Sequence, residues 1–140
     1  MKILKRKYLD ELISVTGTPD IKVITGIRRS GKSKLLELFK EYLEKDKTNN
    51  IIHINFNVKD FDKYKNADSL YKYISDNYLK NKKNIVLIDE VQMCDDFEKA
   101  INWIHAEEKY DIYITGSNAF LLSSDLATLF TGRTYKIEIF

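Results

Sequence analysis

Apolar positions along the chain follow two periods in turn. Leu4, Tyr8, Leu9, Leu12 and Ile13 recur at helical spacing, which predicts a short amphipathic helix over 4–14. Thr16-Gly17-Thr18-Pro19-Asp20 reads as a turn. The β-branched run Ile21-Lys22-Val23-Ile24-Thr25 then stops at Gly26, as a strand that feeds a loop does. Helical spacing resumes with Leu35, Leu36, Phe39 and Leu43. Further on, the pattern predicts strands at 51–56, 85–88, 112–115 and 135–139, and helices at 70–79, 97–104 and 120–130. Residues 57–67 read as an irregular connection and 80–84 as a solvated turn.

Strands that alternate with helices of this length predict an α/β domain built on a mainly parallel sheet. Ile85-Val86-Leu87-Ile88 is an unbroken apolar run, the mark of a strand covered on both faces. The sequence contains no repeat, low-complexity stretch or linker, so residues 1–140 are expected to form one domain. The chain stops on Ile137-Glu138-Ile139-Phe140, an apolar strand, which gives the expectation of a piece of a longer protein that lacks its C-terminal region.

Composition narrows the classes. Apolar residues at 44% and charged residues at 31% exclude a disordered chain. No apolar run approaches the roughly 18–20 residues that a membrane helix needs. The basic N-terminus is not followed by the apolar stretch and cleavage site of a signal peptide. Cys94 is the only cysteine, which forbids an intrachain disulfide and favours a reducing, cytoplasmic setting. A net charge of +2 does not point to nucleic acid, although Lys5-Arg6-Lys7 leaves room for a local basic patch.

The loop Gly26-Ile27-Arg28-Arg29-Ser30-Gly31-Lys32-Ser33 carries Gly, Gly, Lys and Ser at the Walker A spacing, between a strand and a helix. Glycines allow positive φ and bring backbone N–H groups against phosphate oxygens. The following helix start adds partial positive charge, so residues 26–34, Lys34 included, form the candidate nucleotide-binding stretch. Lys32 is placed to reach the β- and γ-phosphates, and the Ser33 hydroxyl to ligate Mg²⁺. Arg28 and Arg29 lie within the loop, where a surface ion pair is the plainer reading of their charge.

Ile85-Val86-Leu87-Ile88 runs into Asp89-Glu90, the Walker B pattern. A buried strand carries Asp89 to the sheet edge where ligands of open α/β sheets bind, so Asp89 is the second candidate Mg²⁺ ligand. Glu90 is the candidate base for an attacking water, which favours hydrolysis over transfer to a small molecule. Ile112-Tyr113-Ile114-Thr115 ends in Gly116-Ser117-Asn118. Asn118, or Ser117 in its place, could bond the water or the γ-phosphate, as the position called sensor 1 does; the alternative for both is a helix cap. Arg133, in Thr131-Gly132-Arg133, has two readings, an arginine finger and a surface ion pair, and the second is the plainer. Gln92 is a candidate polar neighbour of the acidic pair. His53, His105 and Cys94 have no metal-ligand spacing and read as structural.

These segments together, Val23 to Ser33, Leu87 to Gln92, Thr115 to Asn118 and Thr131 to Arg133, resemble a family of prokaryotic AAA-type ATPases. The resemblance implies a three-layer P-loop NTPase fold with strand order 5-1-4-3-2, and ATP with Mg²⁺ rather than GTP. It implies ATP hydrolysis to ADP and phosphate, with Lys32, Glu90 and Asn118 at the reaction. A nucleotide-gated switch with little hydrolysis is the alternative, and a nucleic-acid-acting machine a third reading. In the family a Pro-Leu-Ser-Phe-like segment and a C-terminal region follow the last strand. Protein clients and an oligomer are compatible with the resemblance, which names neither.

Overall fold

The computed structural model describes residues 2–27, 31–117 and 128–140, with side chains described from residue 6 onward. In chain order the elements are α1 (Lys2–Ser14), β1 (Ile21–Gly26), α2 (Lys32–Glu44), β2 (Asn49–Asn55), α3 (Ala67–Asp76), β3 (Lys83–Asp89), α4 (Phe97–Ala106), β4 (Tyr110–Ser117) and β5 (Thr134–Ile139). Short 3₁₀ turns at Lys59–Tyr64 and Val91–Met93 punctuate them. The connection over 57–67 thus holds a helical turn that its mixed polar and aromatic residues conceal. α3 begins earlier than its apolar spacing predicts, because the Asn66 side chain caps it by accepting from the Ser69 N–H at 3.0 Å. The helical stretch expected over 120–130 falls mostly outside the described residues; Thr128 and Leu129 are helical.

The strands form one five-stranded sheet of order β2-β3-β4-β1-β5. Every neighbouring pair is parallel. This is the order 5-1-4-3-2 read from the other edge. Parallel neighbours need crossover connections, and here helices supply them on both faces. Ile24, Leu87, Tyr113 and Ile137 of the sheet pack with Leu12 of α1 and with Leu35, Leu36, Phe39 and Leu43 of α2. Ile21, Val23, Ile52, Ile54, Val86, Ile88, Ile112 and Ile114 pack with Leu70 and Ile74 of α3 and Ala100, Ile101 and Ile104 of α4. The architecture is therefore helix, sheet, helix. Alternate residues of each strand serve opposite faces, so β1 and β3 are buried throughout except at exposed Lys83.

The helix that follows β1 matters most for the site. Leu35, Leu36, Phe39 and Leu43 give α2 one apolar stripe, and the Phe39 ring lies 4.8 Å from that of Tyr113 on β4. Each such side chain stabilises by about 1.5–3 kcal/mol when buried. The stripe presses α2 across β4 and β3, and so fixes where its N-terminus begins.

At the opposite, N-terminal edge a buried ion pair ties the sheet to the α1–β1 turn. Lys22 is fully buried, and its Nζ donates to Asp111 Oδ1 at 2.7 Å and to the Thr18 carbonyl at 2.6 Å. Asp111 Oδ2 accepts from the Gly17 N–H at 2.9 Å and the Tyr113 hydroxyl at 2.8 Å. Burial, then the Asp111 charge, pushes the Tyr113 phenol well above its ordinary range, so it stays a donor. Asp111→Ala leaves the Lys22 ammonium buried without its counter-ion and should destabilise by about 3–5 kcal/mol in chemical denaturation. Lys22→Met should lose less, since Asp111 keeps the Gly17 and Tyr113 donors. Equal losses in the two variants would contradict the assignment of the cost to a stranded ammonium.

Candidate functional site

β1 delivers the glycine loop to the C-terminal edge of the sheet. Gly26 pairs with Ser117 of β4 on one side and Ile139 of β5 on the other. Gly31 takes φ +98° at the start of α2, a conformation that glycine adopts without a Cβ penalty. The first helical bond of α2 runs from the Leu35 N–H to the Gly31 carbonyl at 2.9 Å. The Lys32, Ser33 and Lys34 amides precede it and point out of the helix end, where they can take an anion.

Lys32 is 4% exposed, and its Nζ donates to the Gly26 carbonyl at 2.9 Å and the Ile27 carbonyl at 3.3 Å. The ammonium thus rests on carbonyls of its own loop. Ser33 is exposed on the first turn of α2. The Lys34 side chain turns outward and lies 3.8 Å from Glu37, which leaves its backbone amide as its contribution to an anion site. Ile27 is exposed beside Gly26. Arg28, Arg29 and Ser30 lie outside the described residues, as does Asn118.

Asp89 comes to the same edge on β3 and is 2% exposed. Ile88 pairs with Ile114 across β3 and β4, so Asp89 and Thr115 come next on their strands. The Thr115 hydroxyl donates to Asp89 Oδ1 at 2.6 Å and accepts the Glu90 N–H at 2.9 Å. Glu90 has left the strand for the left-handed region, at φ 56° and ψ 57°. Its Oε1 accepts from Gln92 Nε2 at 2.7 Å, and its Oε2 lies 4.0 Å from Lys32 Nζ. One chain of polar contacts therefore runs from the loop carbonyls through Lys32 and Glu90 to Thr115 and Asp89.

Gln92 and the acidic pair are brought together as the sequence reading expects, and Ser117 stands beside Gly26 at the end of β4. Thr115 carries two bonds that the sequence reading did not assign to it. The available signal was a polar residue closing the apolar run Ile112-Tyr113-Ile114, which its β-branched shape disguises as ordinary strand. Arg133 goes elsewhere. Thr134 pairs with Ile21, at the N-terminal end of β1, so the length of β1, about 16 Å, separates Arg133 from the loop. Its guanidinium is exposed and lies 3.5 Å from Asp20, the surface ion pair of its two readings. Gly132 in the same motif serves packing: a Cβ there would come within 2.3 Å of the His105 ring.

The remaining candidates are structural. His105 Nε2 lies 2.9 Å from the Pro19 carbonyl, and His53 Nδ1 lies 3.4 Å from Lys40. Burial, with Lys40 beside it, lowers the His53 pKa. Cys94 is buried, and burial pushes its thiol up to about 12, so it is not a thiolate at neutral pH.

The donor set suits a hard cation. Asp89 and Ser33 offer one carboxylate and one hydroxyl, and Mg²⁺ typically binds through one or two such oxygens together with phosphates and water. Among the described residues no group of three or more His, Cys, Asp and Glu gathers as a metal cluster. A cavity of about 770 Å³ opens at the opposite edge of the sheet, between Tyr42, Asn84, Tyr110 and Asp111. Two of the polar side chains that line it, Asn84 and Asp111, are already engaged within the protein. The Asn84 amide bonds Leu79, Lys82 and Asn50, and Asp111 bonds Lys22, Gly17 and Tyr113. The convergence of loop, lysine and carboxylates argues for the C-terminal edge. Among the described residues no helix is long and apolar enough to cross a membrane.

Comparison with known proteins places this geometry in context. A family described as AAA domain matches residues 18–140. A Haemophilus influenzae protein described as uncharacterized is 39% identical over 99% of the chain, which covers 35% of that protein. Uncharacterized protein MJ1544 of Methanocaldococcus jannaschii is 33% identical over 96% of the chain, covering 30% of that protein. The chain thus spans about a third of the length of these relatives. Among solved structures, Cdc6p from Pyrobaculum aerophilum superposes with TM-score 0.67 at 13% identity, over 96% of this chain and 45% of that one. Drosophila ORC bound to DNA gives 0.62 at 7%, over 96% and 89%. AMPPCP-bound DnaA from Aquifex aeolicus gives 0.56 at 16%, over 96% and 44%. At such identities the likeness is one of fold.

Gly31 offers a test of the loop that needs no ligand. Among the described residues, its own chain neighbours aside, no atom lies within 4 Å of a Cβ built on Gly31, so backbone strain is the cost that Gly31→Ala meets there. It should destabilise by about 1–2 kcal/mol in denaturant unfolding. An unchanged midpoint would show that the loop does not hold positive φ there in solution.

Proposed function

The chain belongs to the AAA domain family, and from that premise we propose that it binds ATP with Mg²⁺ and hydrolyses it to ADP and phosphate. The observation that carries the reading is the buried Lys32 ammonium, 4.0 Å from the Glu90 carboxylate at the mouth of a glycine loop. A lysine resting on its own loop carbonyls is held by weak partners, and a polyphosphate offers it stronger, charged ones. The AMPPCP-bound state of one structural neighbour, an adenine-nucleotide complex of the same fold, supports the choice of ligand.

In this reading the Gly31 turn and the amides of Lys32, Ser33 and Lys34 cradle the phosphates, with Gly26 and Ile27 forming the loop's entry. Arg28, Arg29 and Ser30 complete the loop. Lys32 moves from the Gly26 and Ile27 carbonyls to the β- and γ-phosphate oxygens. Ser33 and Asp89 would hold Mg²⁺, which when bound would neutralise charge developing on the phosphates. Glu90 accepts a proton from the water that attacks the γ-phosphorus, while Gln92 orients its carboxylate. Asn118 or Ser117 bonds that water or the γ-phosphate. The reading assigns residues 1–140 to the nucleotide-handling part of a protein as long as the relatives, and a lone buried cysteine fits a cytoplasmic setting.

The hydrogen bond from Gln92 to Glu90 favours one alternative. If it persists with nucleotide bound, Glu90 stays engaged and the domain acts as a nucleotide-gated switch with little turnover. Steady-state phosphate release by the wild-type chain separates the two readings.

Lys32→Ala should weaken ATP binding by roughly 10- to 100-fold, read by equilibrium titration. Glu90→Gln should keep ATP affinity and lower kcat by about a hundredfold or more. Wild-type turnover in Glu90→Gln would remove Glu90 from the base role, and unchanged affinity in Lys32→Ala would remove the loop from phosphate binding.

A further inference from the structure

We propose that Thr115 is a positioning residue of this site: its one hydroxyl sets both the metal-binding carboxylate of Asp89 and the backbone turn that aims Glu90. The inference rests on the reading of the site as Mg²⁺-dependent and hydrolytic.

Thr115 is fully buried, so its hydroxyl has no bulk water to bond. A threonine hydroxyl has one proton and two lone pairs. The carboxylate Oδ1 of Asp89, at 2.6 Å, can only accept, so it takes the proton. The Glu90 N–H, at 2.9 Å, can only donate, so it takes a lone pair. The two bonds are therefore of fixed and opposite sense, and neither can be made by a side chain without a hydroxyl. Asp89 is 2% exposed, and a carboxylate so enclosed keeps one orientation when one oxygen is anchored. With Oδ1 anchored to Thr115, Oδ2 is the oxygen left for the cation.

The second bond acts on Glu90. A glutamate at φ 56° costs about 1–3 kcal/mol and persists only where its surroundings overdetermine it. Three contacts do so here. The Glu90 N–H bonds Thr115, the Glu90 carbonyl accepts the Met93 N–H at 3.1 Å, and the next side chain, Val91, is fully buried. The left-handed turn ends β3 and sends the Glu90 side chain to Gln92 and Lys32 instead of along the strand direction. Without the Thr115 acceptor the part-buried Glu90 amide loses its bond, and with it one support of the turn.

The pair Thr115→Val and Thr115→Ser tests the hydroxyl. Three readouts are needed: ATP affinity without Mg²⁺, the Mg²⁺ concentration for half-maximal turnover, and kcat. Partners that hold a metal ligand typically contribute about 10- to 100-fold in metal affinity or activity. Thr115→Val should therefore keep Mg²⁺-free ATP affinity, raise the half-maximal Mg²⁺ concentration by about tenfold, and lower kcat by at least as much. Thr115→Ser should restore both. Should Thr115→Val fail to fold, Thr115→Ala against Thr115→Ser isolates the same hydroxyl. A folded Thr115→Val with wild-type Mg²⁺ dependence and kcat overturns the proposal alone. So does a Thr115→Ser that behaves like Thr115→Val, since the methyl group would then matter and not the hydroxyl. A wild-type chain that shows no ATP turnover overturns the hydrolytic reading and this role with it.

Discussion

Parallel pairing of β1 with β4 governs the rest of the structure. It sets β4 between the strand that feeds the glycine loop and the strand that carries Asp89. Gly26 then lies beside Ser117, and Thr115 beside Asp89, at one edge of one sheet. Because β1 is bonded to β4, the chain cannot turn directly into its neighbour, and α2 must cross β4 and β3 to reach β2. Burial of Leu35, Leu36, Phe39 and Leu43 drives that crossing. The helix start, with its outward amides, is left over the ends of the strands. Hydrophobic burial and the placing of an anion site are thus the same event.

The two edges of the sheet divide the polar residues by purpose. At the N-terminal edge Lys22, Asp111, Gly17 and Tyr113 satisfy one another, and His105 sits on the Gly132 turn. At the C-terminal edge the polar groups are held in less settled arrangements. Among the described residues Lys32 hydrogen-bonds only loop carbonyls, Glu90 holds an unfavourable backbone conformation, and the Gln92 amide oxygen is buried without a hydrogen-bond partner. The meeting of loop, lysine and carboxylates at this edge, with the left-handed Glu90 among them, fits a place built to receive a ligand.

Much of this could be read from the chain. Each strand announced itself by an apolar run, and the loop and acidic pair by residue types that their chemistry requires. The strand order came from resemblance, since nothing local tells β1 to pair with β4. What escaped depends on contacts between residues distant in sequence. Lys22 looks like the outward residue of an alternating strand, and its counter-ion Asp111, which makes its burial tolerable, lies far along the chain. Gly132 looks like part of a functional Gly-Arg motif, while its small size serves His105. Thr115 looks like strand filler, because its role exists only once β3 and β4 are in register. The left-handed turn at Glu90 carries no glycine to mark it. The 3₁₀ turn over Lys59–Tyr64 is too short to establish a period.

Equilibrium titration of the unmodified chain with ATP, in the presence and absence of Mg²⁺, is the decisive test of the phosphate site. One nucleotide should bind per chain, more tightly when Mg²⁺ is present. No binding at millimolar ATP with Mg²⁺, by a chain shown to be folded, would contradict the assignment of that site.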